Sequence, residues 1–247
     1  MTLIEHLVEL RHRIIVCAIT VGVGAIAGWF LYPYVLDVLL HPYHDIASRS
    51  IAGGNLIATS PVEGFAVRIK ITMYVAVAIA MPVILWQIWR FVSPGLYKHE
   101  RHYALPFVTA AITLFIMGAS LAYWTLPKAL DWLSAVGGNN ITQAYTADKY
   151  FQLIAYMMLA FGICFEFPIV LVFLQIAGIV SNEWLRKYRR HAIVLIFIVV
   201  AVATPSNDPI SLFALSVPLC IFYEGAILVG RIRNRRKRRA EAAAARS

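Results

Sequence analysis

The sequence predicts an all-α integral membrane protein, six transmembrane helices that are kinked and arranged around a concave face, with both termini cytoplasmic. Three observations predict it. Of 247 residues, 60% are hydrophobic and only 14% are charged, with mean hydropathy +0.71. A soluble domain carries roughly 45–50% apolar and about 25% charged residues, so a single water-soluble core of this length cannot hide the surplus. The charges present are gathered between long charge-poor runs, and Lys and Arg divide unequally between alternate loops.

The spans follow in order as about 14–36, 68–91, 104–126, 149–179, 191–204 and 209–230. Ile14–Leu36, Ile71–Trp89 and Tyr103–Leu126 carry no charge, and Tyr150–Val180 carries only Glu166. Each is long enough to cross about 30 Å of hydrocarbon at 1.5 Å per residue. The fifth, centred on Ala192–Ala203, is short and requires a thinned bilayer or the shelter of neighbouring helices. The sixth runs from Pro209 to Gly230, with Glu224 near its end. Residues 1–230 therefore read as one membrane domain, and 231–247 as a basic tail without fixed structure. Seventeen of the 22 Lys and Arg residues fall on the side that holds both termini, against five on the other. Positive charge stays inside, which places both termini of this multi-pass chain in the cytoplasm. The formal net charge of +9 is thus mostly topology. The Arg231–Arg239 run has no interleaved aromatics, which argues against nucleic acid as a partner.

Local signals refine the loops. In the outward loop 33–61, Tyr34–Leu40 reads as a short separate helix ended by His41-Pro42. Ser60-Pro61-Val62-Glu63 reads as a helix start, with Ser60 as cap and Glu63 closing a capping box. A second outward loop is expected over Pro127–Lys149, with a cap at Thr146-Ala147-Asp148. Pro82, Pro106, Pro168 and Pro218 lie within spans and favour kinks. Cys17, Cys164 and Cys220 lie inside spans without metal-ligand spacing and read as small apolar fillers.

Enzyme chemistry finds no support. His99-Glu100-Arg101-His102 spaces its histidines three apart, whereas a zinc helix needs four. Gly22–Gly28 follows no strand and suits close helix packing, and no phosphate-binding loop occurs. No metal or cofactor is expected. What remains is a set of acids in costly or exposed places. Glu5 and Glu9 lie four apart at the start of the first helix, where Glu9 either pairs with Arg13 or forms an anionic site on a basic face. Glu100 lies in the connection Val92–Arg101. Glu166 sits mid-span, which costs about 2.5–3.5 kcal/mol on insertion scales, so it faces water, is protonated, or meets a partner from another helix. Asp208 caps the last helix or serves a function in the outward turn. A proton-coupled small-solute transporter using Glu166 is the alternative reading.

Five segments together resemble one family. His6-Leu7-Val8-Glu9-Leu10-Arg11, Ser60-Pro61-Val62-Glu63-Gly64-Phe65, Phe91-Val92-Ser93-Pro94-Gly95-Leu96-Tyr97-Lys98-His99-Glu100-Arg101, Phe161-Gly162-Ile163-Cys164-Phe165-Glu166-Phe167-Pro168 and Thr204-Pro205 through Asp208-Pro209 are similar, in order and spacing, to motifs of the TatC family. That family forms the multi-spanning core of the twin-arginine translocase. The resemblance implies a receptor for the signal peptides of folded precursors, exported with the proton-motive force. It implies that Glu9 and Glu100 bind the arginine pair, with Phe91, Pro94, Leu96 and Tyr97 shaping the loop. It further implies that Glu166 lies in the concave interior, that the single-span proteins TatA and TatB are partners, and that several copies assemble. The turn around Asp208 is one residue longer than the commoner family form.

Overall fold

The computed structural model describes residues 3–44, 56–92, 104–138, 145–176, 178–206 and 208–244. Its elements are eight helices: α1 Leu3–His44, α2 Glu63–Val92, α3 Ala104–Gly137, α4 Ala147–Phe165, α5 Phe167–Ile176, α6 Asn182–Lys187, α7 Arg189–Ala203 and α8 Pro209–Ala244. Continuous apolar runs of this length, about twice what a membrane strand needs, form helices in hydrocarbon, where a helix satisfies every backbone N–H and C=O within its own segment. Five spans are long and apolar enough to cross unaided: in α1, α2, α3, α4 with α5, and α8. The sixth is α7, whose 15 residues reach only about 22 Å, as the short apolar run requires. Outward surfaces stay apolar, with Ile19, Val23, Ile26, Phe30 and Val202 all exposed.

α1 packs along α2, α3 along α4, and α8 receives α3, α5 and α7. Glycines set the closest approaches. Gly118 of α3 lies against the backbone of Phe161 in α4, and Gly24 and Gly28 of α1 lie against Ala76 and Thr72 of α2. The core runs through Leu126, Ile154, Met157 and Phe161 to Val200, Leu215 and Tyr223.

The structure departs from sequence expectation at the proline-containing helices. No separate helix covers Tyr34–Leu40, because α1 is continuous through Pro33 and Pro42. Each proline lacks the N–H that would bond the carbonyl four residues earlier. Those carbonyls, of Trp29 and Val38, receive instead the Arg68 guanidinium at 3.4 Å and the Tyr123 hydroxyl at 2.9 Å. Similarly, α3 passes Pro127 and ends only at Gly137, before Gly138 at φ +77, so the expected loop from 127 is largely helix. Pro82 and Pro218 lie inside continuous helices. The fourth span divides at Glu166, and Pro168 occupies the first turn of α5, where its missing N–H costs nothing. α6 was not anticipated; Ser181 caps it by accepting the Trp184 N–H at 3.1 Å. The backbone of α8 continues as helix through the basic tail to Ala244, consistent with its content of Arg, Lys and Ala, all strong helix formers.

At the starts of α2 and α4 the caps differ from expectation, and Thr146 precedes α4 without a side-chain cap bond. Glu63 accepts the Thr59 N–H at 2.5 Å and the Thr59 hydroxyl at 2.9 Å, one residue earlier than the Ser60 box predicts. Its other oxygen accepts the Asp148 N–H at the start of α4, at 2.9 Å. Lys70 pairs with Asp148 at 2.5 Å, and residue 57 bridges residue 146 through two backbone bonds of 3.0 Å. One carboxylate thus caps two helices that are far apart in sequence.

Candidate functional site

The end of the molecule opposite this clamp brings the start of α1 to the end of α2. An α-helix leaves its last carbonyls without intrahelical donors, and an arginine is suited to them. Arg13 fills that role. It donates to the Arg90 carbonyl at 3.0 Å, the Gln87 carbonyl at 3.4 Å and the Gln87 side-chain oxygen at 3.3 Å. Its remaining contact is Glu9, one turn earlier on α1, in an ion pair. The pairing with Arg13 anticipated from the four-residue spacing is therefore present.

The pair is not a surface ornament. The Arg13 and Glu9 side chains are only 11% and 22% exposed, and they line a groove of about 610 Å³ together with Glu5, His12, Gln87 and Arg90. A carboxylate has about four lone-pair positions and accepts a guanidinium bidentately, and Arg13 is one of the partners of Glu9. The arrangement presents an oriented, largely buried carboxylate to an open groove. That suits a planar cation. Phe91 follows Arg90 at the end of α2 and is half-buried. Pro94, Leu96, Tyr97 and Glu100 lie outside the described residues.

Glu166 forms the turn between α4 and α5, its N–H donating to the Ile163 carbonyl at 3.0 Å. It is 9% exposed, and its Oε1 has no hydrogen-bond partner among the described residues. Asp208 is 1% exposed. Its Oδ1 accepts the Ser211 N–H at 2.7 Å and its Oδ2 the Ser206 hydroxyl, so it is the N-cap of α8. Glu9 and Phe91 thus share one rim, while Glu166 and Asp208 belong to separate places. Among the described residues no group of His, Cys, Asp and Glu is arranged to hold a metal.

Residues 5–218 match the family model described as Sec-independent protein translocase protein (TatC). The chain is 37% identical over 96% of its length to the Sec-independent protein translocase protein TatC of Frankia casuarinae, covering 67% of that protein. It is 37% identical, again over 96% of its length, to the Aquifex aeolicus protein of the same name, covering 98% of it. A crystal structure of a twin-arginine translocase receptor TatC superposes with TM-score 0.76 at 36% identity, covering 92% of this chain and 98% of that one. The chain belongs to the TatC family. It is accordingly a multi-pass protein of the bacterial membrane and a component of the twin-arginine translocase, a transport assembly with other subunits.

Within this TatC chain the carboxylate of Glu9 was legible from its spacing, but the grip of Arg13 on the α2 terminus was not. Arg13 stands just before the charge-free run Ile14–Leu36, and the carbonyls it meets lie 74 and 77 residues away. Nor did the sequence show that Glu63 would cap α4, since its partner lies 85 residues away.

Proposed function

We propose that this TatC chain receives paired-arginine signal peptides at the α1–α2 rim, with Glu9 and Glu100 as the two carboxylates. One observation carries the reading. Glu9 is held in a fixed direction by an arginine that is itself fixed to the end of α2, and it opens on a groove where the connection to α3 begins. Glu100 is four residues from Ala104, so it stays within about 14 Å of the α3 start. Two guanidiniums require two planar acceptors, and lysine cannot reproduce the fork. The surrounding basic residues repel a cationic peptide that is not so aligned. Phe91, Pro94, Leu96 and Tyr97 shape the loop beside the pair.

In this reading both termini and the rim face the cytoplasm, and the clamp of Glu63, Lys70 and Asp148 lies on the outer side. Glu166 faces the concave interior, where the apolar part of the signal or the helices of TatA and TatB pack. Several copies assemble, and the proton-motive force drives transport of folded precursors. The test is binding of a twin-arginine signal peptide to protein carrying Glu9→Gln. Loss of one charge-assisted contact of about 1.5–3 kcal/mol weakens binding about 10- to 150-fold. Arg13 keeps its three bonds to α2, so the fold survives. Unchanged affinity would reject Glu9 as a ligand.

A further inference from the structure

On the opposite half of the α1–α2 pair lies an apolar groove of about 360 Å³ lined by Ala25, Ile26, Trp29, Phe30, Ile69 and Met73. Gly24 and Gly28 draw the two backbones together beneath it. Arg68 stands at its upper end. The guanidinium lies 4.0 Å from the Trp29 ring centre and 5.0 Å from that of Tyr32. Among the described residues it makes one hydrogen bond, to the Trp29 carbonyl at 3.4 Å, and its Nε–H has no acceptor. Among the described residues no carboxylate lies within ion-pair distance of Arg68, whereas Lys70 has Asp148 at 2.5 Å. A cation at the edge of hydrocarbon requires a counter-charge or a path to one. Tryptophan and tyrosine at its level mark the membrane interface.

One turn deeper, Thr72 lines the same groove, 6% exposed, its hydroxyl without a hydrogen-bond partner among the described residues. Four residues separate it from Arg68, about 6 Å along the axis. The headgroup layer on each side of a bilayer is about 5–7 Å thick. With Arg68 at the level of phosphate, Thr72 therefore stands at the boundary where glycerol esters begin and the exposed flanks of Ile26, Phe30 and Met73 run into the hydrocarbon.

We propose that this groove is a binding site for a phospholipid with an anionic headgroup, its phosphate on Arg68 and one acyl chain along Ile26, Phe30 and Met73. The site is independent of signal recognition at the other end of the same helices. The test is native mass spectrometry of the full chain with palmitoyl-oleoyl phosphatidylglycerol or phosphatidylcholine. The wild type retains phosphatidylglycerol preferentially. Arg68→Gln lowers that retention roughly tenfold, as loss of a charge-assisted contact does, and Arg68→Lys restores part of it. Met73→Trp fills the groove without touching Arg68 and lowers retention of both lipids, so the test stands even if Arg68→Gln misfolds. Glycerol 3-phosphate does not compete. Equal retention of the two lipids by the wild type, unaltered retention in Met73→Trp, or displacement by glycerol 3-phosphate would each overturn the proposal.

Discussion

Substituting Gly118 by alanine tests how the α3–α4 contact is built. A Cβ at this position falls 2.5 Å from the Phe161 carbonyl oxygen and 2.9 Å from both the Phe161 carbonyl carbon and the Phe165 ring. Ordinary contact begins at 3.4 Å, so the helices must part by about 0.9 Å, and backbone cannot rotate aside as a side chain can. Overpacking of this kind costs about 1–3 kcal/mol. Alanine also gains roughly 0.8–1 kcal/mol over glycine inside a helix, which masks part of the loss. Gly22→Ala supplies the correction, because a Cβ there meets nothing within 4 Å and gains the same propensity. The difference between the two variants isolates the clash. Reversible unfolding in mixed detergent micelles, followed by circular dichroism, is expected to separate them by about 1–3 kcal/mol. That is about a 5- to 150-fold change in the unfolding equilibrium. Equal stability of the two variants would refute the close approach of α3 to Phe161.

Three further outcomes follow from the same structure. Asp208→Ala destabilises the protein by about 1 kcal/mol through loss of the α8 cap, whereas Asp208→Asn, an equally good cap, holds stability; the same unfolding assay decides, and equal loss in both removes the capping role. Tyr123→Phe costs about 0.5–1.5 kcal/mol while Pro42 is present and less once Pro42→Ala restores an intrahelical partner for the Val38 carbonyl; a double-mutant cycle with no coupling contradicts that pairing. Glu166→Ala binds signal peptide normally but exports precursor poorly, measured by precursor processing in cells; undiminished export would leave its burial without a transport role.

The span pattern was legible because membrane helices satisfy their own backbones, so runs without charge map almost directly onto α1–α5 and α8. The short α7 was legible for the same reason. Helix ends were not. Pro33, Pro42 and Pro127 mark stops in a soluble reading, yet the Arg68 and Tyr123 side chains satisfy the carbonyls that Pro33 and Pro42 strand. Those donors lie 39 and 85 residues from their acceptors, beyond any local rule. Glu63 was recognisable as a cap, but which residues it capped depended on α4 arriving beside α2. At the rim, spacing brought Glu9 to Arg13, and only the fold brought Arg13 to Gln87 and Arg90. Asp208 was readable as a cap because Asp-Pro before an apolar run is a helix start, and the buried bond to Ser211 is that cap.

Crosslinking a photoreactive twin-arginine signal peptide to the full chain, in parallel with a peptide whose two arginines are replaced by lysines, interrogates the rim most directly. Adducts near Glu9 and Glu100 with the arginine peptide, and their loss with lysine, are the expected result. Capture of both peptides to the same extent would show that the carboxylates sense charge alone and do not read the guanidinium fork.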